Sequence, residues 1–120
     1  MDDGITRKHG KITDLTFLRN FCEGDETRMK KYIAMYLDSS PGHLEKIKSA
    51  MEQKDYVSLH SSVHVMKTHL NFMGMKSTAE TGKEIELVIK EHGDLLKLPL
   101  LVSNFERDCL KSFEELKAPL

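Results

Sequence analysis

Leu59, Val63, Met66, Leu70 and Met73 recur at alternating steps of four and three, and this spacing constrains the fold more than any other feature of the chain. Such a stripe lines one face of an α-helix; a strand, whose side chains alternate faces at every residue, cannot gather it on one side. No segment keeps a period-two pattern for more than a few residues, so the chain reads as all-α.

The rest divides by the same logic. Leu15, Leu18 and Cys22 mark a short helix ending near Gly24. From Asp25, the apolar set Met29, Tyr32, Ile33, Tyr36 and Leu37 shares one helix face as far as "SSPG". There Ser40 as a cap and Pro41 at the first helical position predict a new helix, carrying Leu44, Ile47 and Met51 and ending around Gln53. Asp55 caps the helix that bears the opening stripe. The string "STAE", with Glu80 three positions after Ser77, reads as a capping box for a helix with Ile85, Val88 and Ile89 that stops at Gly93. Gly82 inside it allows a close helix contact. A last helix starts near Pro99 and carries Val102, Phe105, Cys109, Phe113 and Leu116 toward Pro119. Short links make successive helices antiparallel, so the expected architecture is an antiparallel up-and-down four-helix bundle with a short additional N-terminal helix. Residues 1–11 lack periodicity and read as a flexible N-terminal segment, with 12–120 as a single domain.

Charge and composition exclude several classes of function. With 18 basic and 19 acidic residues there is no nucleic-acid arm and no polybasic membrane patch. No apolar run reaches the roughly 20 residues that span a bilayer, and "MDDGITRKHGK" is too polar for a secretory signal, so a cytoplasmic location is expected. Cys22 and Cys109 lie far apart and match no CxxC spacing, which favours buried free thiols over a zinc site or redox pair.

His64 is the residue that the stripe leaves out. At 100 degrees per residue it lies roughly 140 degrees from the centre of the stripe and should face solvent. Ser61, Val65, Thr68 and Phe72 fall on the same outward side, and two apolar residues there point to a docking surface. Lys67 lies one turn beyond His64, near the edge of the stripe, where its ammonium would approach an anionic group attached to the imidazole. Imidazole combines a nucleophilic nitrogen near neutral pH with tolerance of solvent, so phosphorylation of His64 is chemically reasonable. A surface histidine without function remains the plain alternative. His60 and His64, four apart with His69 close by, raise a metal-binding bundle as a rival, but position 61 is Ser rather than Glu and no Glu-x-x-His pair recurs, so no metal site is expected. A helical adaptor that uses the same exposed face without carrying phosphate is a second rival.

At these residues the chain resembles the histidine phosphotransfer domains of multistep two-component relays, whose signature runs roughly His-x-Leu-Lys-Gly-Ser and then, after a short stretch, Gly. Here it reads "HVMKTHLNFMG": His64 matches the phospho-accepting histidine, Met66 the apolar position, Lys67 the supporting lysine and Gly74 the closing glycine. Ile85 and Glu86 stand where the family often has a Leu-Glu pair. The family's small Gly-Ser is replaced by Thr68 and His69, both bulkier beside the expected phosphorylation site. The likeness spans about residues 12 to 117. It implies a monomeric phosphotransfer module with no kinase activity and no cofactor of its own, magnesium being held by the partner. Its implied partners are response-regulator receiver domains and a hybrid sensor histidine kinase. Val65, Thr68 and Phe72 would form contact area, with Ser61 beside them.

Overall fold

The computed structural model describes residues 11–120; most of the expected flexible segment, 1–10, lies outside the described residues. Among the described residues five α-helices follow one another: α1 (Thr16–Phe21), α2 (Glu26–Glu52), α3 (Tyr56–Phe72), α4 (Lys76–Lys90) and α5 (Leu98–Leu116), the last entered through a 3-10 turn at Leu95–Lys97. Neighbours along the chain pack on one another and α5 returns to α2, which closes four long helices into an up-and-down bundle with α1 against α2. There is no strand among the described residues.

The predicted stripes form the core. Leu59, Val63, Met66, Leu70 and Met73 of α3 and its C-terminal cap are buried, as are Val102, Phe105, Cys109, Phe113 and Leu116 of α5. Gly82 of α4 is wedged between α3 and α5: a Cβ there would come within 3.1 Å of the Phe105 ring and 3.3 Å of Val63 Cγ1. Both cysteines are free and buried, and burial, with Asp108 and Glu106 nearby, pushes the Cys109 thiol up to about 12.

Two expected boundaries are wrong. The break at "SSPG" does not exist, because α2 runs through Pro41 without interruption, and this leaves the four long helices that the bundle needs. The inward stripe Met29, Ile33, Tyr36, Ser40, Leu44, Ile47 continues across the proline, so Ser40 is a buried interior residue rather than a cap, while Pro41 faces solvent. Tertiary burial on both sides outweighs the one backbone hydrogen bond that Pro41 removes. The capping box at Ser77 is also absent. Helix α4 begins at Lys76 with Met75 in the cap position, and Met75 is held by a bond from its N–H to the Leu70 carbonyl and by complete burial of its side chain. Asp55 caps α3 as expected, accepting from the Ser58 N–H at 3.1 Å, and Asp25 caps α2 in the same way, accepting from the Arg28 N–H at 3.2 Å.

Gly74 closes α3 in the left-handed conformation (φ +68), with the Met75 N–H bonded back to Leu70 and its own N–H to Asn71. A side chain there would run into the backbone carbonyl of Asp14, whose N–H donates to the Met73 carbonyl at 3.0 Å. The chain before α1 is therefore pinned beside the end of α3. It is also tied to α5, since Glu115 accepts from the N–H groups of Ile12 (2.8 Å) and Thr13 (3.0 Å).

Candidate functional site

Helix α3 has two faces with different tasks. Its inward stripe fixes it in the core, and this holds the opposite face rigidly toward solvent. His64 stands on that face with 67% of its side chain exposed, and Ser61, Val65 and Thr68 are exposed around it. Lys67, one turn on, lies half-buried at the boundary, where the spacing puts it.

What joins these residues comes from the neighbouring helix. Glu86 of α4 is buried, with its Oε1 2.9 Å from His64 Nδ1 and its Oε2 2.6 Å from Lys67 Nζ. Burial alone would raise this carboxyl, but hydrogen bonds and charge from Lys67 and His64 prevail and hold it below the ordinary carboxyl range. An ionised carboxylate only accepts hydrogen bonds, so the proton between the two groups belongs to Nδ1. In the neutral ring the lone pair is then left on Nε2. The site therefore offers an exposed nucleophilic nitrogen with a fixed tautomer, and an ammonium one turn away. His60, one turn before His64, stacks parallel to it (ring centroids 6.4 Å apart, planes 9° apart) with Nε2 3.8 Å from the same Glu86 Oε1.

Phe72 departs from the expected outward position. It is half-buried at the centre of an aromatic cluster, 5.5 Å from Phe17, 5.2 Å from Phe21 and 6.0 Å from Tyr32 between ring centroids. Phe17 and Phe21 leave about half their surface exposed, so the apolar face next to Thr68 is built by α1, α2 and α3 together. A groove of about 640 Å³ lined by Phe17, Thr68, Asn71, Phe72, Gly74 and Lys76 runs along it. His69 also departs from expectation: it turns to α2 and stacks on His43 at 6.0 Å, leaving only Thr68 as added bulk on the His64 side. It is accordingly separated from His60 and His64, and among the described residues no three His, Cys, Asp or Glu side chains are grouped to hold a metal ion.

Reasoning from the sequence missed the roles of Glu86 and His60 and the rings of Phe17 and Phe21. The last two left a signal: they lie four apart and off the Leu15, Leu18, Cys22 stripe, on a helix of six residues. Glu86 left none in its spacing, since a carboxylate beside Ile85 reads as surface charge until α4 is packed on α3.

The family model of the Hpt domain matches residues 31–118. The chain belongs to the Hpt domain family. These domains are helical bundles that perform histidine phosphotransfer in two-component signalling and work with response-regulator receiver domains. The match takes in His64, Lys67, Gly74 and Glu86, whereas α1, with Phe17 and Phe21, precedes it. Comparison with curated proteins and with solved structures gives no significant match. No helix among the described residues is long and apolar enough to cross a membrane.

Proposed function

We propose that this Hpt domain relays a phosphoryl group between the aspartates of receiver domains through a phosphohistidine at His64. The observation that carries the reading is the double contact of Glu86. One buried carboxylate fixes the His64 proton on Nδ1 and holds the Lys67 ammonium beside the ring. Nε2 attacks the phosphorus of an aspartyl phosphate in line; the N–P bond forms as the bond to the carboxylate oxygen breaks, and the electron pair leaves with the aspartate. The imidazole gains positive charge in this step, and Glu86, already hydrogen-bonded to Nδ1–H, stabilises it. Lys67 offsets charge on the transferred oxygens; a magnesium ion held by the receiver would supply further charge compensation. Return transfer to a second receiver follows the same geometry in reverse.

His64 sits on an exposed helical ridge, which suits a macromolecular donor. Exposed Val65, and the groove that Thr68 lines with Phe17 and Phe72, supply the apolar contact that such a partner needs. The test is transfer from a panel of phosphorylated receiver domains to the wild type and to His64→Gln, read by intact mass and acid lability. Uptake by the wild type alone is expected. Equal uptake by the variant would sink the assignment, and no uptake from any receiver, with the fold intact, would favour a phosphate-free adaptor.

A further inference from the structure

Glu86 carries one negative charge and has three basic neighbours. Lys67 balances it through Oε2, while His64 and His60 share Oε1 at 2.9 and 3.8 Å. The longer distance lies outside hydrogen-bond range but within reach of an ion pair. With the reading of His64 as phospho-acceptor as its premise, we infer that His60 is a proton-coupled positioning residue, taking up a proton and closing on Glu86 when His64 becomes phosphorylated.

Charge arithmetic supports this. In the unphosphorylated site with neutral rings, Glu86 and Lys67 cancel and nothing further calls for a cation. A phosphoryl group on His64 brings close to two negative charges, of which the ring that keeps its Nδ1 proton on Glu86 offsets one, so about one net negative charge is added within about one ring of His60. One net negative charge some 7 Å away raises the proton affinity of an imidazole by roughly three-fold at the dielectric of water and by roughly fifty-fold at an effective dielectric of about 20, so by about ten-fold between these limits. His60 is the titratable group already placed to respond, since its ring is parallel to that of His64 and one helical turn away. The other charged or titratable groups around it are His64 and Lys67 of α3 and Glu86 of α4, with Tyr56 one turn before it on α3 and Lys83 and Lys90 about one turn either side of Glu86 on α4. The lysines keep their charge throughout, so the proton that phosphorylation draws in goes to His60. Once cationic, it pairs with Glu86 Oε1, the oxygen that also orients His64. Phosphorylation is thereby coupled to proton uptake from solvent, and the phosphorylated state is favoured in mildly acidic solution.

The test uses the full chain and phosphoramidate, a small-molecule donor that needs no receiver. Imidazole resonances are followed by NMR between pH 5.5 and 8.5 with and without phosphate on His64. The titration curve of His60 should move to higher pH on phosphorylation, by about a ten-fold change in proton affinity that shrinks as salt is added. Superimposable curves with His64 phosphorylated would overturn the inference. Failure of His64 to take phosphate from phosphoramidate or from any receiver would instead overturn the relay reading, and this inference with it. A second measurement compares the transfer equilibrium of the wild type with that of His60→Gln. The wild-type advantage should grow several-fold as the pH falls from 8 to 6, by the same charge arithmetic; a constant ratio would leave His60 a purely structural role.

Discussion

Glu86→Gln separates the chemistry of the site from its packing. The substituted side chain has nearly the same shape and keeps an oxygen to accept from His64 Nδ1–H, but it has no charge. Hydrogen bonds to a charged group contribute about 1.5–3 kcal/mol, against about 0.5–1.5 between neutral groups. The difference of about 1–1.5 kcal/mol acts where the imidazole becomes cationic, as Nε2 attacks phosphorus, so it enters the barrier and slows transfer about ten-fold. Stability should respond differently. Glu86 is buried, and replacing a buried charge by an amide removes a desolvation cost while Lys67, partly exposed, returns to water. The variant should therefore melt within a few degrees of the wild type at neutral pH.

The assay is single-turnover transfer from a saturating phosphorylated receiver, beside a thermal melt of each protein. A transfer rate within about two-fold of wild type would refute the role given to Glu86. So would a large loss of rate accompanied by loss of fold, since the defect would then be structural. The sign of the acid response is fixed as well. Because the Glu86 carboxyl is held low in the folded state, its contribution is fully present above its ordinary value of 4.5 and disappears as the pH falls through the folded value. Acidification should accordingly destabilise the wild type more than Glu86→Gln, a trend measurable as the difference between their melting curves from pH 7 down to pH 3.

Pro41→Ala supplies the missing donor to the Leu37 carbonyl in the middle of α2 and should stabilise the bundle by about 1–2 kcal/mol, part of the interior-proline cost being already relaxed; a lower urea midpoint would contradict this. Gly74→Ala meets the left-handed penalty of about 1–2 kcal/mol and displaces Asp14 from Met73, losing a further ~1 kcal/mol. Faster amide exchange at Asp14 should accompany the drop in stability, and an unchanged exchange rate would show that the contact is not strained. Phe72→Ala removes the central ring of the aromatic cluster and should weaken receiver binding by about ten-fold, as loss of a central apolar anchor does. Unaltered affinity by calorimetry would take Phe72 out of the contact surface.

How far the sequence could be read depended on whether a feature was local to one helix. The α3 stripe and the exposure of His64 follow from the geometry of a single helix, so both were legible. The same holds for the cap at Asp55 and for Gly82, whose lack of a side chain needs only a neighbour to explain it. The continuity of α2 was not legible, because "SSPG" is a genuine local stop signal that loses to burial of Ser40, Leu44 and Ile47 against other helices. From α3 alone Phe72 was expected to stand outward and exposed, but α1 and α2 bring three more rings to it and make it the half-buried middle of a cluster. The most consequential residue fell on the same side of this division. His64 and Lys67 announce themselves on one helix, but the group that sets the His64 tautomer and neutralises Lys67 is Glu86, 22 residues beyond His64 on α4. Its function exists only once Gly82 has let α4 close on α3, so the reactivity of the histidine rests on the packing of a glycine one turn away from the carboxylate.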